Sequence, residues 1–171
     1  MAMSRYGGGS SPRNPDLYPV IQSYYNEIEA QVVVDLIRSL TTIENIPLLT
    51  IGIITSYRKQ LQLIQQQLST NIDVSTVDGF QGREKDIILL SSVRAQQQEE
   101  DNRRSIGFVG NKQRLNVSLT RGKYAVYIIG HLQSLNINEH WSKLINDATR
   151  RNCMFEYRSR KQNFGWLRKE Q

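Results

Sequence analysis

Ser75-Thr-Val-Asp-Gly-Phe-Gln-Gly-Arg-Glu-Lys-Asp-Ile-Ile-Leu-Leu-Ser-Ser-Val-Arg-Ala95 is the stretch that decides the fold. Residues 73–77 are short, carry β-branched Val74, Thr76 and Val77, and read as a strand. Residues 86–93 contain Ile87-Ile-Leu-Leu90, an apolar run suited to a strand covered on both faces. Between them, Asp78-Gly-Phe-Gln-Gly-Arg-Glu84 holds two glycines and a dense set of polar groups. Two buried strands joined by such a hinge place it at a sheet edge, where ligands sit in open α/β sheets. Gln81, Arg83 and Glu84 offer a neutral bidentate group, a cation and an anion. Taken alone, the segment also fits an ordinary loop with solvated charges, so the flanking sequence has to decide.

Upstream, residues 26–40 read as a helix: Ile28, Val32, Leu36 and Leu40 recur every four residues, widened by Val33 and Ile37, with Asn26 as N-cap. Residues 48–55 form a buried strand that runs into Ser56. A second helix follows, with Tyr57, Leu61, Ile64 and Leu68 as its apolar stripe and its glutamines turned outward. Thr55 and Ser56 thus stand at a strand's C-terminal end before a helix N-terminus, where hydroxyls suit phosphate. Simple capping by Ser56 is the other reading. Downstream, residues 95–106 are polar and read as an exposed loop. Residues 110–122 read as a helix capped by Asn111 and ended by Gly122, with Arg114, Ser118 and Arg121 expected on one face. Two arginines on a face suit a polyanion, because guanidinium forks match phosphate oxygens. Residues 123–130 read as another buried strand, residues 138–150 as a helix lined by Trp141, Leu144, Ile145 and Ala148, and residues 154–157 as a final edge strand. Hydrophobic strands alternating with helices predict an α/β fold: a mostly parallel sheet with helices on both faces.

Composition narrows the function classes. With 171 residues, 39% of them hydrophobic, one domain with a real core is expected. The net charge of +6 fits a nucleic-acid partner without requiring one. A single cysteine, Cys153, excludes an internal disulfide and fits a reducing compartment. His131 and His140 have no cysteine partners close by, so no zinc pattern and no metal site is expected. No apolar run approaches the roughly 20 residues needed to span a bilayer, and no membrane partner is expected. Residues 1–19 have the Gly/Ser/Pro composition of a linker, and their glycines are not followed by the lysine of a phosphate-binding loop. The expected domain therefore runs over residues 20–157, with a basic tail at 158–171. From Arg150 onward seven basic residues stand against two acidic ones, interleaved with Tyr157, Phe164 and Trp166. Such a tail suits nucleic acid, a frayed terminus or an interface.

Three segments resemble the second RecA-like domain of Upf-like superfamily 1 RNA/DNA helicases. Ile53-Ile-Thr-Ser-Tyr-Arg-Lys-Gln60 resembles motif IV. Thr76-Val-Asp-Gly-Phe-Gln-Gly-Arg-Glu-Lys-Asp86, with Val93-Arg-Ala95, resembles motif V and its extension. Gly107-Phe-Val-Gly-Asn-Lys-Gln-Arg-Leu-Asn-Val-Ser-Leu-Thr-Arg121 resembles motif VI. Gly130-His-Leu-Gln-Ser-Leu135 and Glu139-His-Trp-Ser-Lys-Leu-Ile145 are most similar to the senataxin branch of that group.

The resemblance implies a RecA-like three-layer domain that closes an ATP and Mg²⁺ cleft with a first RecA-like domain, in an enzyme that translocates on RNA, DNA or their hybrid. Arg121 would be the arginine finger, and Arg114 a second cation, on phosphate or holding Arg121. Glu84 would meet the ribose, and Gln81 and Gly82 would line the cleft. Thr55, Ser56 and Thr76 would contact nucleic-acid phosphates, and Arg94 would tie motif V to the helicase core along the nucleic-acid track. The resemblance also implies an intracellular protein of the nucleus, with the cytoplasm as the alternative. The chain departs from the family in lacking a Walker A lysine, an Asp-Glu pair for Mg²⁺ and the Tyr-Arg-Met-His-Pro segment. It is therefore expected to be inactive alone, with the Mg²⁺ ligands on the first domain. The competing reading is a non-catalytic nucleic-acid or protein-binding module of the same fold.

Overall fold

The computed structural model describes residues 24–42, 50–68, 72–93 and 111–157. The expected linker and basic tail, Arg94, the loop at 95–106 and the start of motif VI lie outside the described residues. In chain order the elements are α1 (Glu27–Thr42), β1 (Ile51–Thr55), α2 (Arg58–Gln67), β2 (Asp73–Thr76), a 3₁₀ turn (Asp78–Phe80), β3 (Lys85–Ser91), α3 (Lys112–Leu119), β4 (Gly122–Ile129), α4 (Leu132–Leu135) and α5 (Glu139–Arg150). The short α4 has no periodicity of its own and was not expected.

The four strands are all parallel, in the order β2-β1-β3-β4. Alternation along each strand splits the core into two layers. Ile53, Ile87 and Leu89 pack with Ala30, Val33, Ile37 and Ile64 of α1 and α2 on one face. Ile54, Ile88 and Leu90 pack with Phe80, Leu115, Leu135 and Trp141 of the turn, α3, α4 and α5 on the other. Central side chains such as Ile53, Ile88 and Leu89 are fully buried. Each contributes about 1.5–3 kcal/mol relative to exposure. The result is the α/β/α sandwich expected of a RecA-like domain.

Several local expectations need correcting. Ile28 is 70% exposed, and the buried face of α1 is instead Ala30, Val32, Val33, Val34 and Ile37, together with Glu29 and Asp35. The helix is turned so that Glu29 points inward. Gln60 of α2 is fully buried rather than outward, because its amide pairs with the backbone of Asn26. Among the described residues strand β4 is an edge, with Tyr124 77% exposed, because residues 153–157 form no ladder with it. Tyr157 packs beside α1 instead, its hydroxyl donating to Asp35 at 3.0 Å.

The connection from β2 to β3 positions the site. Both strands are parallel, so residues 77–84 must return from the C-terminal edge of the sheet to its N-terminal edge while crossing over β1. Phe80 makes this possible: its ring lies over Gly52, where even a Cβ would come within 2.7 Å. Gly82 turns the chain with φ +74°, a conformation that favours glycine.

Candidate functional site

The hinge and helix α3 divide the expected site residues between two edges of the sheet. At the C-terminal edge stand Ser56, Thr76, Asp78 and the first turn of α3. Asn111 caps that helix, accepting from Arg114 N–H at 3.1 Å. The Arg114 side chain pairs with Asp78 through both carboxylate oxygens, Nε to Oδ1 and Nη2 to Oδ2, each at 3.2 Å. The pair joins motif V to motif VI across 36 residues of chain. Thr76 Oγ1 accepts from Gly79 N–H at 3.3 Å and keeps its own proton to donate. The N-cap position of α2 is Tyr57, whose side chain makes no capping bond, so capping by Ser56 is not what the structure shows. Thr55 departs from its expected role. It is fully buried and its hydroxyl has no hydrogen-bond partner, because the end of β1 lies between β2 and β3. A phosphate contact through the Thr55 side chain is therefore not available in this arrangement. Ser56, Ser92, Arg114 and Ser118 line a cavity of about 10 Å³ here, room for about one water.

At the N-terminal edge stand Arg121 and Glu84. Helix α3 ends at Leu119, so Arg121 lies past its last turn and does not share a face with Arg114 and Ser118. The two arginines sit at opposite ends of the helix, about 10 Å apart along its axis. Arg121 Nε donates to Val117 O at 3.1 Å and Nη2 to Thr120 Oγ1 at 3.0 Å. The cation thus closes the C-terminal end of α3, where the helix dipole favours it, and further N–H donors remain on the fork. Lys85 N–H donates to Arg121 O at 3.0 Å, and Lys85 pairs with Gly122 in the ladder. The residues one step earlier, Glu84 and Arg121, therefore enter β3 and β4 side by side. Glu84, Gln81 and Gly82 are exposed.

The remaining charges of the hinge are structural. Arg83 Nη1 donates to both oxygens of Asp73, at 2.9 and 3.0 Å, and its guanidinium stacks 4.5 Å from the Phe80 centroid. Asp86 Oδ2 accepts from Thr50 N–H at 2.8 Å and Thr50 Oγ1–H at 2.7 Å. The Thr50 backbone N–H, then its hydroxyl, hold the Asp86 carboxyl below the usual carboxylate range, with Lys123 and Lys85 adding to the effect. No local sequence pattern marks Asp73 and Asp78 as paired. Their arginine partners lie 10 and 36 residues away, beyond any helical or strand period. Among the described residues, no three His, Cys, Asp or Glu side chains gather to hold a metal, and no helix is long and apolar enough to cross a membrane.

A four-stranded parallel sheet between helices, with arginines at both ends of the helix before its edge strand, defines a RecA-like α/β domain. A family model described as an AAA domain matches residues 7–133. The chain belongs to this family, as a senataxin-like domain of the Upf-type superfamily 1 helicases. It is similar to the human probable helicase senataxin, 39% identical over 157 residues, which cover 88% of this chain and 6% of that protein. The Saccharomyces cerevisiae helicase SEN1 is 42% identical over 112 residues, 61% of this chain and 5% of that protein. The ATP-dependent helicase NAM7 of the same yeast is 38% identical over 148 residues, 78% of this chain and 14% of that protein. The chain thus spans only a small part of the length of these relatives.

Proposed function

We propose that this chain is the second motor domain of a nuclear ATP-dependent helicase that translocates on and unwinds nucleic acid. The observation that carries the reading is the placement of α3. One end presents Arg121 beside Glu84; the other presents Arg114, paired to Asp78, beside Ser56 and Thr76. ATP would lie against the first end, supplying the phosphoryl group, with its Mg²⁺ held by the first RecA-like domain of the same protein. The arginine fork and a neighbouring exposed carboxylate fit phosphate and ribose. Arg121 would stabilise charge on the transferring phosphoryl group and Glu84 would accept from ribose hydroxyls, with Gln81 and Gly82 lining the wall between the edges. Backbone phosphates of RNA or DNA would pass over the second end, met by Ser56, Thr76 and Arg94, contacts that carry no sequence readout. Arg114, through Asp78, would join the two motifs so that a shift at one edge is felt at the other.

The relatives' names support the helicase class. A module released from hydrolysis has no physical need for the Arg121–Glu84 juxtaposition, which disfavours a pure binding role. The test is nucleic-acid-stimulated ATP hydrolysis by the intact protein. Arg121→Ala is expected to lower turnover by about 10³–10⁵. The 171-residue chain alone is expected to show no turnover. Unchanged turnover in the variant, or robust turnover by the chain alone, would remove the reading.

A further inference from the structure

Glu29 has no part in either edge as built above, yet its carboxylate is buried, 4% exposed. Asn26 Oδ1 accepts from Glu29 N–H at 3.1 Å, so the two residues begin α1 as cap and third helical position. In a capping box the glutamate would turn back to the Asn26 N–H. Here that N–H goes to Gln60 Oε1 at 2.7 Å. Gln60 Nε2 in turn donates to Asn26 O and to Ser91 Oγ, both at 3.1 Å. Glu29 Oε2 is thereby released to accept from Ser91 Oγ–H and Val93 N–H, each at 2.8 Å.

Val93 gives this network its purpose. Its φ is +62°, a left-handed conformation that a β-branched residue rarely adopts. Such strain persists only where the surroundings hold it, and Glu29 holds the Val93 N–H. Gln60 lies in the first turn of α2, just beyond Ser56, and Ser91 is the last residue of β3. The Glu29 carboxylate and the Gln60 amide, meeting at Ser91 Oγ, therefore tie α1, α2 and the end of β3 together at the C-terminal edge.

We propose that Glu29 is a positioning residue for the nucleic-acid edge: through Ser91, Gln60 and Val93 it sets where Ser56 and the chain leaving β3 stand. The inference rests on the nucleic-acid reading of that edge. Both bonds to Oε2 need only an oxygen acceptor, and an amide gives up the long contact from Asn26 Nδ2–H to Oε1 at 3.5 Å, so Glu29→Gln preserves the function and Glu29→Ala does not. In the intact protein, Glu29→Ala is expected to raise the concentration of single-stranded uridine homopolymer giving half-maximal ATPase stimulation by about tenfold, a change of the size of one hydrogen-bonded contact. Basal hydrolysis stays within about twofold, as expected when a binding-edge position rather than the reacting centre is disturbed. Amide hydrogen exchange at Val93 accelerates in the same variant. Ser91→Ala, which keeps the Val93 bond, shifts half-stimulation less in the same direction. An unshifted half-stimulation in Glu29→Ala, or a Glu29→Gln protein as defective as Glu29→Ala, would overturn the inference. Failure of the helicase reading looks different: the unmodified protein would then show no nucleic-acid stimulation at all.

Discussion

Replacing Gly52 with alanine puts a Cβ 2.7 Å from Phe80 Cζ, 2.9 Å from Lys85 Cγ and 3.0 Å from Ile88 Cδ1. Lys85 and Ile88 end in flexible chains that can give way. Phe80 is a rigid ring at 0% exposure, packed among Ile54, Ile88 and Leu115, and cannot move without lifting the 3₁₀ turn. Overpacking of this kind costs about 1–3 kcal/mol. Removing a strand glycine returns about 0.5–1 kcal/mol. The net is a destabilisation of up to about 2.5 kcal/mol, or a melting temperature lower by up to about 10 °C for a domain of this size. Phe80→Ala alone should cost about 3–5 kcal/mol by leaving a cavity. In the double variant the new methyl enters space the ring has vacated, so the two effects should fall short of additive by about 0.5–3 kcal/mol. Urea unfolding of the wild type, both single variants and the double variant measures this coupling. Effects that add within about 0.5 kcal/mol would refute the idea that Phe80 anchors the hinge by filling the place of a Gly52 side chain.

Two further outcomes are expected. The Asp78–Arg114 pair is 52% and 36% exposed at its side chains. Asp78→Asn or Arg114→Gln should therefore lower stability by no more than about 1 kcal/mol, with a favourable double-mutant coupling; zero coupling would mean that the two-point geometry is not used in solution. Asp86 titrates below the usual carboxylate range because of Thr50. Its contribution is present above the unfolded value of about 3.9 and is lost as pH falls through the lower folded value. Urea midpoints of the wild type should drop more steeply than those of Asp86→Asn as pH falls below about 4, and parallel slopes would contradict the clamp.

The strands and most helices were legible because their signals are local. Ile87-Ile-Leu-Leu90 carries burial on both faces, and Asn26 and Asn111 cap where capping chemistry places them. The segments that misled were those whose neighbours decide. Ile28 looked like core by spacing, but the demand of Ser91 and Val93 for an acceptor turns Glu29 inward in its place. Gln60 resembles the other glutamines of α2 in sequence, and its tertiary partners, the Asn26 backbone and Ser91 Oγ, distinguish it. Arg121 falls on the face of Arg114 while the helix is taken to run to Gly122; termination at Leu119 takes it off that face, and it closes the C-terminal end instead. The ion pairs of Asp73 and Asp78 depend on the crossing of residues 77–84 over β1, which no local pattern records.

The central claim is that Arg121 meets the phosphoryl group as charge develops on it, and that Glu84 meets the nucleotide beside it. The most direct measurement is the affinity of the intact protein for ADP with and without aluminium fluoride, which mimics that charge, in the presence of nucleic acid. Arg121→Ala should bind ADP much as the wild type does while losing the gain in affinity that aluminium fluoride brings. Glu84→Ala should weaken both complexes alike. An Arg121→Ala protein that retains the full gain, or loses ADP and the fluoride complex in equal measure, would contradict the account.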